Sequence, residues 1–188
     1  LAAMRNAISA KTRLVFVANP NNPTGTLLDS TALRNFIVSI PQDVLVLLDE
    51  AYTEFLAPGQ ATDSSAWVAD IPNLMVLRTF SKAYGLAGMR VGYGVAHASV
   101  AELMNRTRLT FNVNALAQAA ALGAYTDADF LQRSRDNNAR GMAQLETGLK
   151  QLGLPYIPSH ANFIAIDMSA SGKTGGEVAL ACQAHGVI

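Results

Sequence analysis

Lys82 lies in the run Arg-Thr-Phe-Ser-Lys-Ala-Tyr-Gly-Leu-Ala-Gly-Met-Arg-Val-Gly-Tyr (78–93), the one lysine among small, hydroxyl and apolar residues. Desolvation disfavours an ammonium, so a lysine in so apolar a setting is expected to lose proton affinity. The free amine is the form that makes a Schiff base with a carbonyl. Arg90 follows eight positions later. A planar guanidinium matches a phosphate, so Arg90 could grip one at the far end of whatever Lys82 holds. Gly85, Gly88 and Gly92 are expected to bend the backbone between them. Taken alone, the stretch reads equally well as a buried strand, a glycine turn and two solvated cations. The rest of the chain has to decide.

These side chains need a frame. Residues 13–18, 43–48, 73–77 and 91–96 are short apolar runs rich in β-formers, each read as a strand. Between and around them, 1–10, 29–40 and 98–108 have helical patterns, with Asp29 or Ser30 as a cap and Pro41 as a stop. Residues 53–73 are looser, with a short helical segment at 64–70 in which Trp67 packs. Strands apolar throughout, alternating with helices, imply an α/β fold: a mostly parallel sheet with helices on both faces. Further helices are expected at 114–126 and 127–152, the latter burying Leu131, Met142, Leu145, Leu149 and Leu152. Residues 156–168 read as a strand, 174–185 as a helix, and 186–188 as the start of another strand. Residues 1–126 are thus assigned to a large domain, and 127–188 to a connecting helix and part of a small C-terminal α/β domain. Asn22, Asp49 and Lys82 each fall just past the carboxyl end of a different strand, the edge where open α/β sheets bind ligands. Three polar groups far apart in sequence should therefore meet in one crevice.

Pyridoxal 5′-phosphate would find a partner there for each of its edges. Lys82 supplies the amine for an imine with the aldehyde, and Asp49 keeps the ring nitrogen protonated, the state that draws electrons from a substrate α-carbon. Asn22 and the Tyr52 hydroxyl face the phenolic oxygen, while Thr79, Ser81 and Arg90 supply two hydroxyls and a guanidinium for the phosphate. Once released, the Lys82 amine can move the α-proton. Lys82, Asp49 and Tyr52 are the candidate catalytic residues; with Asn22, Thr79, Ser81 and Arg90 they form the candidate cofactor site.

Three motifs, Asn-Pro-Asn-Asn-Pro-Thr-Gly (19–25), Asp-Glu-Ala-Tyr (49–52) and the Ser81–Tyr93 run, in order and suitably spaced, resemble the signatures of the class I/II aminotransferases. These are fold type I pyridoxal-phosphate enzymes, and the resemblance, which runs over the whole chain, is closest to the histidinol-phosphate aminotransferase group. It implies transamination between an amino donor, such as histidinol phosphate or a related aromatic or other amino acid, and a 2-oxo acid. It also implies a cytoplasmic homodimer of about twice this length, so that the chain is an internal piece. The ring-stacking aromatic residue and the arginine for the substrate carboxylate would lie outside it, leaving the piece alone inactive or nearly so. Two alternatives share the motifs: a pyridoxal-phosphate decarboxylase of the threonine-phosphate type, and a non-catalytic sensor domain that kept the fold. A Schiff-base aldolase is a third, and it would carry no chromophore.

Bulk properties narrow the classes. In 188 residues, half are hydrophobic and only 15% charged, with Lys+Arg and Asp+Glu equal at 14 each, so no basic field exists to hold nucleic acid. No apolar run is long enough to span a bilayer. Cys182, the single cysteine, excludes an internal disulfide, fits a reducing compartment and is expected to pack as a small core residue. His97, His160 and His185 are scattered, without metal-ligand spacing, and are assigned to the surface or loops. Asn112 and Asn114 have no clear use. In Ser-His-Ala-Asn-Phe (159–163), which resembles a family segment bordering the site, Asn162 could face substrate, although a turn at the start of a strand is the simpler use.

Overall fold

In the computed structural model, which describes residues 1–187, the apolar runs become one four-stranded sheet. A short helix, α1 (Ala2–Ala7), precedes β1 (Leu14–Ala18); α2 (Ser30–Val38) leads to β2 (Leu45–Asp49), and β3 (Leu74–Thr79) and β4 (Gly92–Ala96) complete the sheet in the order β1-β2-β3-β4. The first three are parallel, paired so that Val15, Val46 and Leu74 align, as do Val17, Leu48 and Val76. All six are buried. Period-two alternation puts them on one face, where Leu33, Phe36 and Ile37 of α2 join them together with Val68 and Ile71. Asp29 caps α2, its carboxylate accepting from the Ala32 N–H at 2.8 Å. Leu14 and Phe16, on the other face, are exposed.

β4 runs antiparallel to β3, so the sheet is mostly rather than wholly parallel. The link from Phe80 to Val91 holds only a short 3-10 turn at Ala87–Met89 and lacks the helix on which a parallel crossover is usually built. After it come α3 (Ala98–Thr107), α4 (Ala115–Thr126), α5 (Ala128–Gln151), β5 (Tyr156–Ile157), β6 (Ala165–Ile166) and α6 (Gly175–Ala184).

Several expectations are corrected here. The strand expected over 156–168 is two antiparallel two-residue strands, because the Ser159–Phe163 segment leaves the strand path to pack elsewhere. On α5 only Leu149 is buried; Leu145 and, just past the helix end, Leu152 are exposed, since they lie on a side left open to solvent. Cys182 is exposed, since α6 buries none of its residues. The strand expected from 186 is absent at Gly186 and Val187, and Ile188 lies outside the described residues. Of the three glycines expected to bend 78–93, only Gly85 has a positive φ (70°); the left-handed turn falls on Arg90 itself, at φ 54°. Trp67, by contrast, packs against the core as expected. Among the described residues no helix is long and apolar enough to cross a membrane.

Candidate active site

The carboxyl ends of β1, β2 and β3 are tied into one edge by backbone bonds that run past the strands. Asn19 N–H donates to the Asp49 carbonyl and Glu50 N–H to the Leu77 carbonyl, both at 2.9 Å. A recess of about 330 Å³ opens on that edge, lined by Asp49, Ala51, Leu77, Arg78, Thr79, Ser81, Lys82 and Arg90. Five of the seven expected site residues therefore share one cavity. The other two form a pair beside it: Asn22 Nδ2 donates to the Tyr52 hydroxyl at 3.0 Å. With its oxygen already accepting, Tyr52 has its O–H free to donate onward. The Lys82 ammonium stands 5.3 Å above the Tyr52 ring centroid, so the pair and the recess adjoin through Lys82.

Local structure explains each placement. Asp49 closes β2, and its carboxylate accepts from the Ala51 N–H at 3.0 Å, which fixes the turn that delivers Tyr52. Thr79 Oγ1 accepts from the Ser81 N–H at 3.0 Å, folding the chain so that Thr79, Ser81 and Lys82 all line the recess. Arg90 is held by its own backbone turn and donates to the Ala87 carbonyl at 2.7 Å. The apolar enclosure expected around Lys82 is not found: Lys82 is exposed, because it lies in the open recess at the sheet edge, with the Tyr52 ring 5.3 Å from its ammonium.

Beneath the recess lies a cluster that the motif reading passed over. Glu50, next to Asp49 but pointing away from the recess, accepts two bonds from Arg78 at 2.9 and 3.1 Å and one from the Ser64 hydroxyl. Burial pushes the Glu50 carboxyl upward, and the Ser64 hydroxyl and Arg78 guanidinium pull it back without cancelling the rise. For Arg78, burial opposes the charge most strongly, but Glu50, joined by Tyr93 and Glu54, makes the net direction up. Three donors on its two oxygens favour the Glu50 carboxylate, and the ion pair braces β2 against β3 directly under Asp49 and Thr79. The available signal was a charged residue, Glu50, at the end of an apolar strand. Glu54 is buried as well, with one carboxyl oxygen lacking a partner among the described residues, and burial pushes its pKa up.

The Ser-His-Ala-Asn-Phe segment meets the site differently from the expectation. Asn162 is exposed, while Phe163 packs edge-on against Tyr52 at 5.2 Å between ring centroids. Asn114 caps α4, its amide oxygen accepting from the Ala117 N–H at 2.8 Å, and Asn112 is an exposed loop residue. His97 caps α3, while His160 and His185 lie outside helices and strands, and no cluster of potential metal ligands occurs among the described residues.

The donor set suits pyridoxal phosphate. It offers an amine, a carboxylate, and two hydroxyls with a guanidinium around one recess, with a phenol and an amide alongside. Relatives agree with that chemistry. The chain is 54% identical over its whole length to histidinol-phosphate aminotransferase 2 of Ralstonia nicotianae, covering 50% of that protein. It spans about half the length of the curated relatives it matches. A solved histidinol-phosphate aminotransferase from Sinorhizobium meliloti, in complex with pyridoxal-5′-phosphate, superposes at TM-score 0.78 with 36% identity, over 82% of this chain and 42% of that one. L-threonine-O-3-phosphate decarboxylase from Porphyromonas gingivalis shares the fold at TM-score 0.70 and 28% identity, over 83% of this chain and 48% of that one. The family description "Aminotransferase class I and II" matches residues 1–185, and the chain belongs to that family.

Proposed function

We propose that the full protein is a pyridoxal-phosphate-dependent aminotransferase of histidine biosynthesis, moving an amino group between histidinol phosphate and a 2-oxo acid. The observation that carries the reading is the single recess lined by Asp49, Thr79, Ser81, Lys82 and Arg90. Identity of 54% to a histidinol-phosphate aminotransferase, across every residue of the chain, favours that donor over the decarboxylase substrate, whose structure is 28% identical. A cytoplasmic homodimer, with residues 1–126 in a large domain and 127–188 beginning a small one, belongs to the same proposal.

Bound in the recess, the cofactor would supply an aldehyde that condenses with amines and a protonated ring that withdraws electrons from a substrate α-carbon. The protein's part is to hold it and to move protons. Thr79 and Ser81 offer hydroxyl donors, and Arg90 a guanidinium, to its phosphate. The Asp49 carboxylate stabilises the proton on its ring nitrogen. Tyr52, oriented by Asn22, donates to its phenolic oxygen. Lys82 would supply the amine for the aldehyde and, once free, would carry a proton to and from the substrate α-carbon.

The test is the visible spectrum of the full-length protein with histidinol phosphate or glutamate added in turn. Loss of the cofactor's visible band with both amines is the expected result. A band that neither bleaches contradicts the aminotransferase reading.

A further inference from the structure

From the packing around Tyr52 we infer that Phe163 is a positioning residue for the site, holding the Tyr52 phenol where Asn22 and the cofactor need it. The inference rests on the cofactor reading above. Residues 159–163 reach the site by two contacts. At one end, the His160 N–H donates to the Gly25 carbonyl at 2.8 Å, gripping the turn that carries Asn22. Gly25 has φ +71°, and Ser159 occupies the space where a Cβ on it would stand, so the approach is closed to any larger residue. At the other end, the Phe163 ring meets Tyr52 edge-on, at 82° and 5.2 Å. That geometry is an attractive aromatic arrangement, and it fixes a ring rather than merely filling space beside it.

The segment is itself anchored. Ala161 is buried, its N–H donates to Ser159 Oγ at 3.1 Å, and its carbonyl accepts from Asn138 Nδ2 of α5 at 3.2 Å. Thus α5 holds the segment, and the segment contacts Tyr52 directly and, through Gly25, the turn that carries its hydrogen-bond partner Asn22. Remove the Phe163 ring and Tyr52 loses its edge support while the Gly25 contact stays. The phenol then donates less well to the cofactor's phenolic oxygen. With the cofactor bound, that oxygen would carry more electron density and would hold a proton at the neighbouring Lys82 nitrogen more strongly, so the pH midpoint of the visible band should rise. The titratable and charged groups that share the recess with Lys82 or adjoin it are Asp49, Arg78, Arg90 and Tyr52, all unchanged in Phe163→Ala and Phe163→Tyr.

The experiment uses the full-length protein in two arms. In the holoenzyme, the visible band is titrated in wild type, Phe163→Ala, Phe163→Tyr and Tyr52→Phe. Weakening one hydrogen bond predicts an upward midpoint shift of about half a unit to one unit for Phe163→Ala. Phe163→Tyr, which keeps the ring, should restore the wild-type midpoint, and Tyr52→Phe should shift it at least as far as Phe163→Ala. A Phe163→Ala midpoint at the wild-type value, with Tyr52→Phe shifted, overturns the inference. In the apoprotein, a double-mutant cycle of Phe163→Ala with Tyr52→Ala reads the coupling from denaturant midpoints. Non-additive losses support the inference; additive ones overturn it even if the wild type shows no visible band, the result that would sink the cofactor reading instead.

Discussion

Two residues at the site's margin make the physics most exposed to test. Glu54 is buried with an unpartnered carboxyl oxygen, and burial raises its pKa above the ordinary value. A raised carboxyl pKa means the folded chain holds that proton more tightly than the unfolded one. Its contribution to stability is therefore complete below the unfolded value, about 4.3, and is lost as pH rises through the folded value. Glu54→Gln removes that loss, so the variant should be more stable than wild type at pH 8, with the gain gone by pH 4. Thermal melts at the two pH values check it; a gain that is equal at both would contradict the account. Gly25→Ala tests the opposite kind of constraint. With φ at +71° and Ser159 against the missing Cβ, it should cost about 1–3 kcal/mol in a denaturant titration. At this scale much was legible in the sequence: Asn22, Asp49, Tyr52 and Lys82 stand at strand ends that can be read directly. Phe163 and Glu50 were not, because their roles depend on which neighbours they meet. The exposure of Lys82 was hidden for the same reason, since apolar sequence neighbours do not enclose a side chain that points to an open edge.

The elements divide in the same way. β1, β2 and β3 are continuous apolar runs bounded by turn residues, so their existence and order follow from the residues themselves. The direction of β4 goes with a connection that holds no crossover helix, a property of residues 80–91 rather than of Gly92–Ala96. Leu145 and Leu152 have helical spacing, yet spacing says only which face they share and nothing of whether another element covers it. α2 buries one face, through Leu33, Phe36 and Ile37. Ile37 has no exposed surface, and Ile37→Ala should cost about 2–5 kcal/mol through the cavity it leaves. Asp29→Ala removes only the cap and should cost about 1 kcal/mol. Unfolding midpoints of the two variants should keep that order; the reverse order would mean that packing on the sheet is not what stabilises α2.

At the scale of the whole molecule, one sheet edge gathers residues from three separate motifs, and the short backbone bonds from Asn19 to Asp49 and from Glu50 to Leu77 hold that edge in register. The Glu50–Arg78 ion pair stiffens it from below, and the Ser159–Phe163 segment closes on it from the side. The proposed function rests on Lys82, which lines the recess beside Asp49, Thr79, Ser81 and Arg90, as the amine for the cofactor's aldehyde. Borohydride reduction of the full-length holoenzyme, followed by proteolysis and mass spectrometry, tests that claim most directly, because reduction converts the bond to a stable secondary amine. The pyridoxyl mass is expected on the peptide that contains Lys82, and is expected to be lost from that peptide in Lys82→Ala. Label on Lys11, Lys150 or Lys173 in place of Lys82, or no label in a protein that shows the visible band, would contradict it.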